Sequence, residues 1–164
     1  MAQARPAIVT EGGRVELELA LQVASAASGL PERVFFTACV ARTLQPWRSH
    51  AELTIRLVDE AEGRELNRRW RDRDYATNVL SFPTEGLADI APDLLGDIVL
   101  CAPVVTAEAA AQGKSAAAHW THLTVHGVLH LLGFDHQHQQ SAAAMEEYER
   151  TILASLGFAD PYRA

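Results

Sequence analysis

Residues 126–136 read His126-Gly-Val-Leu-His130-Leu-Leu-Gly133-Phe-Asp135-His136. Two residues four apart on an α-helix lie about 40° apart on one face, one turn above the other, so both imidazoles can reach a single ion. Gly133 tolerates a left-handed C-cap, which lets the helix stop after Leu132 and the chain swing His136 back toward the same ion. Three converging nitrogens with a fourth position left open is the arrangement of a catalytic zinc, which activates water; structural zinc sites fill all four positions, usually with more cysteine. The stretch therefore predicts a helix, a glycine turn, a metal centre and hydrolytic chemistry.

Upstream, the same helix carries His119 and His122. At 100° per residue all four helical histidines fall within about 80° of arc, yet the rise of about 16 Å from His119 to His130 is too long for one ion. Only His126 and His130 can share it with His136. His122 is expected to orient a ligand or pack in the core, because a metal-bound imidazole needs its other N–H held by a neighbour. His119 is expected to pack or to face solvent, and His138 is the alternative to His136 as third ligand.

Outside this helix the chain alternates strand and helix signals without repeats or low-complexity linkers. Val15 to Val23 and Glu52 to Val58 alternate with period two, as half-buried strands do. Asn78 to Phe82 and Gly96 to Cys101 are short apolar strands, with a polar loop from Pro83 to Leu95 between them. Helices are predicted over Glu32–Leu44, opened by Pro31; over Glu60–Trp70, capped by Asp59; and over Ala102–Gln112, Ser115–Leu132 and Gln139–Leu156. The alanine-rich run from Ala107 to Ala118 needs only a helical explanation. The expected fold is α+β, a mixed α/β arrangement with a small four-stranded mixed sheet and about five helices. It forms a single metal-dependent hydrolase domain over residues 1–164, with residues 1–13 flexible.

With 164 residues, 48% of them hydrophobic, the chain can bury a sizeable core. No stretch approaches the roughly 18 apolar residues of a membrane span, and the N-terminus carries no signal-peptide core, so a cytoplasmic protein is expected. Cys39 and Cys101 show no metal-type spacing and are expected to be buried thiols. The net charge of −7 argues against a surface that coats nucleic acid. It leaves room for a local patch: Arg64, Arg68, Arg69, Arg71 and Arg73 cluster within ten positions, and Lys114 is the only lysine. Guanidinium forks suit phosphate, although pairing with Glu65, Asp72 and Asp74 would equally account for such a cluster.

The spacing of the three histidines is that of the metzincin proteases, which place a glutamate general base directly after the first histidine. Here that position is Gly127. Without the base, peptide hydrolysis by that route forgoes the roughly 10²- to 10⁴-fold that acid–base catalysis supplies.

The segment from His126 to His136 closely resembles the signature of the YbeY family, bacterial metal-dependent endoribonucleases of ribosomal RNA maturation. Leu66-Asn67, Trp70-Arg71-x-Arg73-Asp74, Thr77-Asn78-Val79-Leu80-Ser81-Phe82-Pro83 and Leu95-Gly96-Asp97-Ile98 resemble further blocks of that family in the same order. Trp70 stands where the family often has tyrosine. The resemblance implies one domain with a mixed sheet under helices, one Zn2+ per chain held by His126, His130 and His136, and an arginine near it, which maps onto Arg71. It implies a zinc-dependent endoribonuclease acting on single-stranded RNA in ribosomal RNA maturation and ribosome quality control. The partners would be precursor ribosomal RNA and ribosomal or ribosome-associated proteins, with the enzyme a monomer. Arg71 would bind the scissile phosphate, and a proton acceptor could come from Asp97 or Glu85, although a structural hydrogen bond is the expected role of Asp97. The competing readings are a metalloprotease-like hydrolase and a ribosome-associated module with a structural metal.

Overall fold

The computed structural model describes residues 14–87, 89–134 and 139–163, the backbone alone at 139 and 140. The elements run β1 (Glu16–Val23), α1 (Arg33–Leu44), β2 (His50–Val58), α2 (Glu60–Arg71), β3 (Val79–Pro83), β4 (Leu94–Cys101), α3 (Ala102–Ala111), α4 (Ala116–Leu131) and α5 (Gln139–Ser155). The four strands form one mixed sheet in the order β1-β2-β4-β3. β1 and β2 pair in parallel, as do β2 and β4, while β3 runs antiparallel to β4 along the outer edge.

Alternation along the strands decides the two faces. Ala51, Leu53, Ile55 and Leu57 of β2 join Ile98 and Leu100 of β4 in the main core, against α1 and α4. Ile55, Leu57, Ile98 and Leu100 are each 0% exposed, and burial of an aliphatic side chain of this size contributes about 1.5–3 kcal/mol. On the opposite face Val58, Leu80, Val99 and Cys101 make a smaller core with Leu66 of α2 and Phe82 of β3. α4 is buried on most sides, packing on β3, β4, α1, α3 and α5.

Three local features set the positions of the functional residues. Between β2 and β4 the register slips by one residue, so that Glu52 opposes Leu94 and Leu53 opposes Gly96. Gly96 takes φ +137°, and a Cβ there would lie 2.2 Å from the Phe82 carbonyl oxygen; the bulge requires glycine. At the end of α4, the Gly133 N–H donates to the His130 carbonyl and the Phe134 N–H to the Leu129 carbonyl, both at 3.0 Å, with Gly133 at φ +103°. This is the Schellman closure that the glycine predicts. Phe134 is then clamped edge-on between Trp47 and Tyr148, with ring centroids 5.5 and 5.3 Å away.

Two helix starts differ from expectation. Pro31 lies outside α1, because Glu32 is the extended N-cap residue and its carbonyl accepts the first helical N–H groups. Asp59 is the N-cap of α2 by backbone geometry, but its carboxylate accepts from the Ala26 N–H and the Ser25 hydroxyl. Those two bonds hold its pKa below the ordinary aspartate value.

Candidate metal centre and arginine groove

The histidine ladder of α4 faces α3 at one end and α5 at the other. Nε2 of His130 stands 3.1 Å from Nε2 of His126. Two ligands at about 2.05 Å from a tetrahedral ion are ~3.3 Å apart, so the spacing fits two nitrogens of a zinc shell. The other nitrogen of His126, Nδ1, is 2.8 Å from Oε1 of Glu149. An ionised carboxylate only accepts, so Nδ1 carries a proton, and in the neutral ring Nε2 then presents its lone pair toward His130.

Glu149 is 0% exposed. Its second oxygen accepts from Nε2 of His122 at 2.6 Å and from the hydroxyl of Tyr162. Burial pushes this carboxyl up, but the bonds from His122, His126 and Tyr162 outweigh it and hold the pKa at about 2. The acid is therefore an anion at neutral pH. His122, His126 and Glu149 together bring three ligand-type atoms within 4.8 Å of one another, a possible metal-binding cluster.

His119 packs rather than facing solvent. It is buried, with Nε2 2.9 Å from the Glu108 carboxylate, which also accepts from the Asn78 amide at 2.9 Å. This network ties α3 and α4 to the start of β3. Burial lowers the His119 pKa, outweighing the pull of Glu108. Asp135, His136 and His138 lie outside the described residues.

Gly127 occupies the place of the metzincin glutamate for a packing reason. A Cβ on it would lie 3.1 Å from Cγ2 and 3.2 Å from Cδ1 of Ile98, a residue with no exposed surface. α4 meets the sheet at this point, so a side chain there would press against Ile98.

The arginine cluster divides. Arg64 pairs bidentately with Asp74, and Arg68 with Glu65. Arg71 instead donates to two backbone carbonyls, those of Ser81 at 2.7 Å and Trp70 at 3.3 Å, while its guanidinium lies 5.2 Å from the Phe82 ring centroid. Among the described residues Arg69, Arg71 and Arg73 make no ion pair. The Ser81 hydroxyl in turn donates to the Gly127 carbonyl at 3.1 Å, so two hydrogen bonds link Arg71 to the residue beside His126. Arg71 also lines a groove of about 720 Å³ with Trp70, Phe82, Glu85 and Asp97. Asp97 is exposed there, and among the described residues its carboxylate accepts no hydrogen bond, so the structural bond expected for it is not formed. The loop after α2 is fixed by Asn67, which is buried and donates to the Tyr75 carbonyl at 2.8 Å.

Sequence reasoning missed Glu149 and Tyr162, which reach the histidines from the last helix and from the segment after it. One signal pointed to Glu149. Four and three residues from it stand Met145 and Ile152, both buried, so the acid falls on the apolar stripe of α5.

Among the described residues no helix is long and apolar enough to cross a membrane. The Endoribonuclease YbeY family profile matches residues 31–157. The chain is 55% identical over 154 residues to the Endoribonuclease YbeY of Xanthomonas axonopodis pv. citri (strain 306), covering 92% of this chain and 96% of that protein. It is 54% identical to the Endoribonuclease YbeY of Stenotrophomonas maltophilia (strain R551-3), with the same coverage. To the Endoribonuclease YbeY of Pseudomonas savastanoi pv. phaseolicola (strain 1448A / Race 6) it is 54% identical over 147 residues, 89% of this chain and 88% of that protein. Its fold is similar to the solution structure of TM1509 from Thermotoga maritima, at a TM-score of 0.54 and 20% identity, over 88% of this chain and 99% of that one. From the spacing of its histidines to the length of these alignments, the chain belongs to the Endoribonuclease YbeY family.

Proposed function

We propose that this protein is a zinc-dependent endoribonuclease that cuts single-stranded RNA during ribosomal RNA maturation and ribosome quality control. In this reading His126, His130 and His136 hold one zinc ion and Arg71 binds the scissile phosphate. The observation that carries it is the pair of His126 and His130 nitrogens 3.1 Å apart, with the far side of His126 fixed by a buried carboxylate. The relatives' name, Endoribonuclease YbeY, supports the substrate class.

The chain's own groups divide the work. Glu149 keeps the His126 proton on Nδ1, so Nε2 stays a ligand, and its buried negative charge favours a cation close by. A bound zinc ion would supply Lewis acidity, lowering the pKa of a water molecule toward about 7. Arg71, neutralised by no carboxylate among the described residues, offers its charge to the equatorial phosphate oxygens. Trp70, 58% exposed and 6.2 Å from Phe82 in an edge-to-face contact, presents a ring on which an unstacked base can lie, as single-stranded RNA requires. Asp97 and Glu85, on the same groove, are available as proton acceptors. RNA is the substrate, ribosomal or ribosome-associated proteins are the partners, and the enzyme works as a cytoplasmic monomer.

A second reading places the ion among His122, His126 and Glu149, whose ligand atoms lie within 4.8 Å. Glu149 accepts from both imidazoles, at 2.6 and 2.8 Å, the arrangement of an outer carboxylate that orients a metal-bound histidine, which favours the His126–His130 side. Single-turnover cleavage of a ribosomal RNA fragment by zinc-loaded, chelated and His126→Ala protein tests the function. The expected outcome is cleavage by the first alone. Equal cleavage by all three would assign it to a contaminant and overturn the proposal.

A further inference from the structure

We infer that the segment after α5 is a working part of the metal centre, with Tyr162 acting through Glu149 as a positioning residue for His126. The inference rests on the reading that His126 is a zinc ligand. Tyr162 lies beyond residues 31–157, the span of the family match, yet its hydroxyl donates to Oε2 of Glu149, the carboxylate whose Oε1 takes the His126 Nδ1 proton at 2.8 Å.

The segment is pinned for this purpose at several points. The Phe158 N–H donates to the Leu153 carbonyl at 2.9 Å, turning the chain back over α5. Lys114, in the turn between α3 and α4, donates to the Pro161 carbonyl at 3.2 Å. Arg150 donates to the Asp160 carboxylate at 3.1 Å and lies 5.4 Å from the Tyr162 ring centroid, while the Tyr162 N–H donates to Asp160 at 2.8 Å. The ring meets the His122 imidazole edge-on at 5.3 Å. Tyr162 remains 41% exposed as a residue, while its hydroxyl points inward to Glu149.

A carboxylate with no exposed surface needs donors on its lone pairs. His126 supplies one donor and His122 another; Tyr162 supplies the third. Without the hydroxyl, Oε2 depends on His122 alone and the carboxylate can rotate about its own axis. His126 would then lose the constraint that keeps its proton on Nδ1 and its Nε2 lone pair toward His130. Outer partners of metal-bound histidines typically change metal affinity about 10- to 100-fold, and a group one bond further out belongs at the lower end of that range.

The test uses the full chain as wild type, Tyr162→Phe, Glu149→Gln and the double variant. Phenylalanine keeps the ring contacts with Arg150 and His122 and deletes only the hydroxyl. Zinc affinity, measured by competition with a chromophoric chelator, should fall about 10-fold in Tyr162→Phe and further in Glu149→Gln. The double variant should match Glu149→Gln, because Tyr162 acts through that carboxylate. Nitrogen-15 spectra of histidine-labelled, zinc-free protein provide a second readout. Wild type should show His126 wholly as the Nδ1–H tautomer, and Tyr162→Phe a mixture. Unchanged zinc affinity and an unchanged tautomer in Tyr162→Phe would overturn the inference, as would additive losses in the double variant. A wild type that binds no zinc would overturn the zinc reading instead, and the tautomer comparison would still decide the role of Tyr162.

Discussion

Gly127 and Ile98 are in such close contact that a single added carbon on the glycine would lie 3.1 Å from the isoleucine Cγ2. This contact separates the centre from the proteases whose histidine spacing it shares. Where those enzymes carry a glutamate base, α4 here lies flat on β4, and Ile98 fills the space the side chain would need.

Gly127→Ala should therefore lower stability by no more than about 2 kcal/mol, because an overpacking cost of about 1–3 kcal/mol is partly offset by the roughly 1 kcal/mol that alanine gains over glycine inside a helix. Gly127→Glu should cost more, since it adds a carboxylate that would be buried without a partner. Denaturant melts of both variants read this directly. A Gly127→Glu protein as stable as wild type, or one that cleaves denatured protein, would show that the site has room for a protease base.

Three alanine variants test the proposed metal ligands. His126→Ala and His130→Ala should each abolish stoichiometric zinc, whereas His122→Ala, which removes only one donor to Glu149, should retain zinc with roughly 10-fold weaker affinity. Elemental analysis after gel filtration is the measurement. Retention of metal by His130→Ala with complete loss in His122→Ala would place the ion among His122, His126 and Glu149 instead.

How much of this was legible in the sequence follows from the range of each interaction. The helix with its glycine turn was legible because its evidence is local: the spacing of His126 and His130, and the positive φ that Gly133 adopts. The strands were legible from alternation, and all four appear within two residues of their predicted starts and ends. Glu149 and Tyr162 were not, because Glu149 meets His126 across 23 residues of chain and Tyr162 meets Glu149 across 13. Nothing near the histidines announces a carboxylate partner; only its place on the apolar stripe of α5 does. Asp59 is the N-cap as expected, but its side-chain capping bond is absent for a similar reason, since the distant Ser25 and Ala26 take its carboxylate oxygens. The arginine cluster could not be divided by sequence, because the choice between ion pair and free charge depends on which carboxylates the loop after α2 brings back.

Arg71 contributes geometry as well as charge, because its guanidinium is held by the Ser81 and Trp70 carbonyls beside the Phe82 ring. Lysine cannot reproduce that planar fork. Arg71→Lys should lose RNA cleavage nearly as completely as Arg71→Ala, at least about 100-fold in single-turnover rate, with zinc content and melting temperature close to wild type. Cleavage by Arg71→Lys at the wild-type rate would reduce Arg71 to a surface contact of β3.

The two thiols should be silent. Cys39 and Cys101 are buried and free of disulfides, and burial pushes the Cys39 pKa up to about 12 and raises that of Cys101. Folded protein at pH 8 should react with neither an aromatic disulfide reagent nor iodoacetamide, and both thiols should react at once in denaturant. The sign for stability follows. Unfolded Cys39 loses its proton near pH 9 while the folded thiol keeps it to about pH 12, so stability is undiminished below pH 9 and falls as pH rises between those values. A Cys39→Ser variant that weakens as steeply as wild type above pH 9 would trace the alkaline loss to other groups.

RNA binding should be weak and shallow in salt. The net charge is −7, and within the stretch from Arg64 to Arg73 the arginines without carboxylate partners among the described residues are Arg69, Arg71 and Arg73. Three phosphate contacts on a single strand give a slope of log affinity against log salt of about −2, and loss of one contact should reduce it by about 0.7. On the proposed reading such a patch selects no site by itself, and selection comes from a surface that presents the RNA and raises its effective concentration. Equal amounts of enzyme incubated with naked precursor RNA and with an assembled precursor particle should give diffuse, slow cutting of the first and faster, restricted cutting of the second. Mapped ends that are equally sharp on naked RNA at physiological salt would show that the groove beside Arg71 reads the RNA unaided, and a salt slope much steeper than −2 would locate further phosphate contacts outside it.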